Sequence, residues 1–178
     1  QDMFADLILL LAMIIILVYI VMASQFESFM SPFVIMFSIP FAFVGVLMGL
    51  YVTGTPLGAM GMIGILILMG IVVKNGIVLI DYTILMRERG HSVTEASTIA
   101  ANSRLRPILM TTLTTVLGMI PMAVGQGEGS EMWRSLGMVV AWGLSISTLV
   151  TLVIIPTLYA AMASWQERRA ARKAARKA

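Results

Sequence analysis

The sequence reads as an all-α membrane protein: a polytopic bundle of five transmembrane helices plus one short helix on the cytoplasmic surface. Three observations predict it. Hydrophobic residues fill 59% of the 178 positions and charged residues only 12%, against roughly 25% charge in an ordinary soluble domain. Mean hydropathy is +0.96. Five separate apolar stretches are long enough to cross the hydrocarbon core as helices, which takes about 20 residues each. Together these exclude a soluble enzyme and a disordered chain. Cysteine is absent, which excludes a disulfide framework, a thiolate metal site and a cysteine nucleophile. The single histidine, His91, excludes a multi-histidine metal site within the chain. No cofactor and no enzymatic activity are expected.

The spans run in order along the chain. The first covers Phe4 to Ala23, the second Pro32 to Val52, the third Leu57 to Met86, the fourth Pro107 to Val124 and the fifth Met132 to Ala163. Pro32 and Pro107 stand where a helix can start, because an amide there needs no partner. Pro40, Pro121 and Pro156 fall inside spans, where a kink is expected. GVLMG (45–49) has the small-xxx-small spacing that lets two helices approach closely.

The loops alternate in charge. The segment Arg87 to Arg106 carries four arginines, and the last eleven residues carry six of the twelve Lys and Arg. The loop GQGEGSE (125–131) is acidic and rich in glycine. Placing both basic segments in the cytoplasm satisfies the positive-inside rule with five crossings, N-terminus outside and C-terminus inside. The sequence therefore divides into a bundle over 1–165 and a basic cytoplasmic tail over 166–178. The tail reads as a topology and lipid-headgroup signal, not as a nucleic-acid site. In the Arg87–Arg106 loop, Ser92 and Glu95 have capping-box spacing. That spacing predicts a short helix over 93–102, lying along the inner membrane surface. The first residue is Gln1, so the chain is expected to be a piece of a longer one.

Lys74 carries the most chemistry. It sits in GIVVKNGIVLID (70–81), near the middle of the third span and too deep to snorkel. A charge at the centre of a membrane helix costs about 2.5–3.5 kcal/mol on insertion scales. Asn75 adds a second polar group at the same depth. Two readings are open: a structural ion pair between helices, or a titrating group in an ion pathway. Asp81 lies two turns further on, about 10 Å along the axis, and reads either as a relay neighbour or as an interfacial carboxylate near Arg87. The remaining acids fall at span ends or in loops, so a partner for Lys74 is not evident within the chain. In the fourth span, Arg104 and Arg106 stand at the cytoplasmic mouth, and Thr111, Thr112 and Thr115 supply hydroxyls. Such threonines commonly bond back to their own helix; the alternative is a contact to an ammonium or a water chain. The sixteen methionines are scattered over the spans and read as packing.

Three motifs in order, GIVVKNGIVLIDY (70–82), RLRPILMTT (104–112) and LGMIPMAVGQGEGSE (117–131), resemble the C-terminal membrane half of resistance–nodulation–division (RND) efflux transporters, most closely the multidrug, hydrophobe/amphiphile branch. ASQFESF (23–29) and IIPTLY (154–159) fit as well. The resemblance covers essentially the whole chain and implies spans eight to twelve of a twelve-span protomer. It implies a homotrimer in the bacterial inner membrane, driven by protons, with periplasmic substrate domains, a periplasmic adaptor and an outer-membrane channel. By motif position, Lys74, Arg104 and Thr111 match the family's proton relay, with Asn75 and Asp81 adjacent. The acidic relay partners belong to the N-terminal half, which is not in this sequence. The alternatives are a non-transporting membrane scaffold held by helix packing, or another RND branch exporting metal ions, lipid or protein.

Overall fold

A computed structural model describes residues 2–26 and 28–175. Six helices follow one another: α1 (Asp2–Phe26), α2 (Met30–Met36), α3 (Ile39–Thr53), α4 (Ala59–Glu88), α5 (Val93–Val124) and α6 (Ser130–Ala175). Five segments are long and apolar enough to cross a membrane, with α2 and α3 together forming the second, Met30–Thr53. Among the described residues there is no strand.

The second span bends where Pro40 requires it. Proline has no amide to donate to the carbonyl four residues back, so the helix opens at Phe37–Ser38. The Ser38 hydroxyl covers part of the loss by donating to the Ile35 carbonyl at 2.6 Å. At the other end Gly54, with φ +64°, closes α3 in the left-handed region that glycine occupies without strain.

Helix α5 starts as its capping box predicts. The Glu95 amide donates to the Ser92 hydroxyl at 3.3 Å, and the Ser92 amide donates to the Glu95 carboxylate at 3.1 Å. Beyond this cap the helix departs from the expectation. The short helix over 93–102 is not a separate surface element; it forms the first turns of a single helix that runs to Val124. Pro107 lies inside this helix, not at its start. Its fixed φ suits a helix, and continuity loses one backbone bond where a break in apolar surroundings would expose several. Helix α6 likewise continues without a break from the fifth span into the basic tail as far as Ala175. Residues 176–178 of that tail lie outside the described residues.

Helix α6 is the hub, and α3, α4 and α5 all pack principally against it. Glycine makes this possible. A Cβ built on Gly45 would lie 2.9 Å from the Ile146 side chain, and one on Gly49 would overlap Trp142. On the facing helix, a Cβ on Gly143 would overlap Leu68 and meet Val46 at 2.8 Å. The GVLMG pattern is thus the α3–α6 contact. Down the α4–α6 seam, Gly61 meets Ser135, Gly64 meets Val139, Leu68 meets Gly143 and Gly76 meets Ile155. Both sets of numbers rise together, so α4 and α6 are parallel. On α5 the order reverses: Gly137 packs on Met119 and Ala123, and Thr148 faces Thr112. Leu68, Leu79, Ile80, Leu144 and Ile155 form the centre of the core and are essentially inaccessible. Helix α1 differs. It packs sparsely, chiefly against α2 and α4, and most of its apolar side chains stand exposed.

A bulkier residue at the hub should therefore destabilise the bundle. Gly143→Val is expected to cost about 1–3 kcal/mol by overpacking and to lower the thermal unfolding midpoint in detergent. Gly118→Ala, where a Cβ meets nothing within 4 Å, should leave that midpoint unchanged or raise it.

Candidate functional site

Helix α4 has two faces. Gly61, Gly64, Leu68, Val72, Asn75, Leu79 and Thr83 are buried against the bundle. Ile63, Ile67, Gly70, Lys74, Asp81, Leu85 and Glu88 are exposed. Steps of three, four or seven residues gather the exposed set into one continuous stripe. Lys74, the sixteenth of the thirty α4 residues, lies on this stripe halfway along the span. Among the described residues it makes no salt bridge and no side-chain hydrogen bond. Asn75, the next residue, turns inward and is 7% exposed. The two polar neighbours, about 100° apart around the helix axis, thus have different surroundings, one exposed and one buried.

Asp81 shares the stripe with Lys74 but does not pair with it. Tyr82, beside Asp81, receives the Arg104 guanidinium over its ring at 4.6 Å from the centroid. That cation–π contact fixes the depth of α5 against α4. The Arg104 Nε is buried without a hydrogen-bond partner. Lys74 lies eight residues before Tyr82 and Thr112 eight residues after Arg104. In antiparallel helices both stand about 12 Å from the Arg104–Tyr82 contact, so Lys74 shares its level with the Thr111–Thr112 step.

The hydroxyls divide by role. Thr111 donates to the Pro107 carbonyl at 2.9 Å and Thr115 to the Thr111 carbonyl at 2.9 Å, which are bonds within their own helix. Thr112 instead is buried and bonds the Thr148 hydroxyl of α6 at 3.1 Å. Thr148, with Ser147 and Thr151 beside it, is not among the candidates that the sequence singles out. The available signal was four hydroxyl residues within seven positions, Ser145, Ser147, Thr148 and Thr151, in the apolar middle of the span. At the C-terminal end of α4, Arg87 joins α4 to α6: Nη2 lies 2.8 Å from Glu167 Oε1, and Nη1 donates to the Tyr159 hydroxyl at 3.3 Å. Both charged side chains of this pair are solvent-accessible, which limits its worth to about 1 kcal/mol or less. Among the described residues no group of three or more His, Asp or Glu is arranged to hold a metal ion.

A model of the AcrB/AcrD/AcrF family matches residues 1–163. The chain belongs to this family of RND transporters. It is 43% identical over 169 residues to the swarming motility protein SwrC of Bacillus subtilis (strain 168), covering 94% of this chain and 16% of that protein. It is 39% identical over 176 residues to the multidrug resistance protein MdtC of Proteus mirabilis (strain HI4320), covering 96% of this chain and 17% of that one. A cobalt-zinc-cadmium resistance protein, CzcA of Cupriavidus metallidurans, is 37% identical over 145 residues, covering 82% of this chain and 14% of that one. Among solved structures, a heavy metal efflux pump superposes with a TM-score of 0.80 at 33% identity, covering 90% of this chain and 16% of that chain. The chain thus spans about one-sixth of the length of these RND relatives, and it is a multi-pass membrane segment of that family.

The absence of cysteine allows a direct check of the α4 faces. In the detergent-solubilised chain, Lys74→Cys is expected to react readily with a small maleimide. Leu79→Cys, on a fully buried position, should react at least about tenfold more slowly, because labelling there requires local opening. Equal labelling of the two would contradict the assigned faces.

Proposed function

We propose that this chain is the C-terminal membrane portion, spans eight to twelve, of a proton-driven permease that exports hydrophobic and amphiphilic compounds. The observation that carries the reading is the outward stripe of α4. It holds an ammonium at mid-span with no counter-charge among the described residues. A bilayer solvates such a charge poorly. The reading supplies an acidic pair from a facing helix of the N-terminal half, which also covers the apolar residues of the stripe.

In this reading Lys74, Arg104 and Thr111 form this half's share of the relay, with Asn75 and Asp81 beside it. A charged carboxylate opposite Lys74 holds the ammonium close. Protonation from the outer side removes that attraction, and the lysine reorients. The carboxylates and Lys74 act as one coupled unit. The Arg104 guanidinium stands on the proposed cytoplasmic side of the relay. The Thr111 hydroxyl already bonds its own backbone and can release that bond to the ammonium or a water. Each protonation state favours one packing of the helices, and the alternation drives the substrate-binding parts that the chain lacks. The proposed setting is the bacterial inner membrane, with the N-terminus periplasmic and the C-terminus cytoplasmic. The proposed assembly is a homotrimer engaging a periplasmic adaptor and an outer-membrane channel.

Multidrug export is supported by the likeness to MdtC and by the motifs of the hydrophobe/amphiphile branch. A second reading, metal-ion export, is favoured by the likeness to CzcA and to the solved heavy metal pump. The two share the relay and differ in cargo.

The test uses a complete permease carrying this segment, reconstituted in vesicles with an imposed proton gradient. Lys74→Ala is expected to lower gradient-driven dye export by at least about a hundredfold, since a transition that needs the ion pair loses its driving interaction. Retained export by Lys74→Ala would reject the relay. No gradient-driven export by the wild type, together with a Lys74→Met variant that is as stable or more stable, would favour the scaffold reading. Gradient-driven zinc or cobalt efflux without dye export would transfer the assignment to the metal branch.

A further inference from the structure

Threonine hydroxyls in apolar helices usually return a bond to the carbonyl four residues back. Seven do so here: Thr53, Thr83, Thr98, Thr111, Thr114, Thr115 and Thr157. Thr112 and Thr148 bond each other. Thr151 does neither. It is 1% exposed, and its Oγ1 is buried with no partner. A lone hydroxyl in apolar surroundings costs stability, so its presence calls for a second arrangement in which it is satisfied.

The α4–α6 register identifies the group within reach. Leu68 packs on Gly143 and Gly76 on Ile155. Between these points α6 passes Ser147 and Thr151, and α4 passes Val72 and Asn75. Asn75 lies one heptad after Leu68 and so presents the same face to α6. It is buried and, among the described residues, makes no side-chain hydrogen bond. Glycine contacts above and below hold the two helices in close packing along this stretch of the seam. Thr151 lies three residues from Thr148, whose hydroxyl is joined to Thr112, next to Thr111.

We propose that Asn75 and Thr151 form a switchable hydrogen bond, open in this structure and closed in the other relay state, that couples the Lys74 turn of α4 to α6 and, through Thr148–Thr112, to α5. Thr151 is a positioning residue: it touches neither proton nor cargo. The inference rests on the relay reading above and adds residues that reading does not include. When Lys74 reorients, its turn rotates slightly, and the adjacent Asn75 moves with it. The amide then engages or leaves the Thr151 hydroxyl, so α4 cannot move without α6.

The experiment compares variants of the complete permease in proton-loaded vesicles. Thr151→Val keeps the shape and removes the unpartnered hydroxyl. Its thermal midpoint should be unchanged or higher, while kcat for export falls about fivefold, the worth of one net hydrogen bond, with KM unchanged. Thr151→Ser should restore most of the rate lost in Thr151→Val. Asn75→Leu should lower kcat similarly, and the double variant should fall no further than the slower single variant. Wild-type export by Thr151→Val, a lowered midpoint for that variant, or losses that multiply in the double variant would each overturn the coupling. Lys74→Ala separates the two claims. Export abolished there but normal in Thr151→Val sinks the coupling alone; export retained in Lys74→Ala sinks the relay and the coupling together.

Discussion

Hydrocarbon offers neither a counter-charge nor a hydrogen bond, and the arrangement of α4 reflects that constraint. A helix that carries an ammonium at mid-depth must present it to something other than lipid. Here the bundle leaves it uncovered: the side of α4 away from α6 bears Lys74 and Asp81 among apolar residues. The opposite side is built from glycine, valine and leucine for close contact. One turn therefore separates a surface made for packing from a surface made for charge, with Asn75 and Lys74 as adjacent members of each.

Glycine contacts turn α3, α4 and α6 into a tight block. Cβ atoms are excluded at Gly45, Gly49, Gly61 and Gly143 by neighbouring side chains, so the helix axes stand nearer than leucine-lined helices would allow. Such a block has little room for local deformation and responds to a changed charge as a unit. Helix α1 has no comparable anchorage and presents its apolar sides outward. The contrast divides the segment into a rigid part, which holds the polar residues, and a loosely attached first helix.

The polar groups within that rigid part are few and mostly satisfied. Hydroxyls bond their own helices, Thr112 bonds Thr148, and Arg104 lies on the Tyr82 ring. Against that background the exceptions carry information. Among the described residues, Lys74 lacks a counter-charge on the outside of α4, Arg104 Nε lacks an acceptor, and Thr151 Oγ1 lacks a donor or acceptor inside the seam. Lys74 and Thr151 belong to the middle of the bundle, and Arg104 lies about two turns nearer the C-terminal end of α4. Unsatisfied polar groups at such depths are costly and therefore uncommon.

Local chemistry is what the sequence determined by itself. Hydropathy located five spans, since crossing a bilayer is a matter of length and composition. Ser92 and Glu95 announced the start of α5, and GVLMG announced a close helix contact, because capping and small-residue spacing act over a few residues. The depth of Lys74 was equally legible. Tertiary structure decided the rest. It ran the short 93–102 helix straight through Pro107, opened the second span at Phe37–Ser38, made α6 the hub and turned Lys74 outward while Asn75 turned in. It also brought Thr148 to Thr112 and left Thr151 alone. These were hidden for one physical reason: in a membrane helix the side facing lipid is as apolar as the side facing protein, so periodicity cannot tell the two apart, and only the neighbouring helices decide which is which.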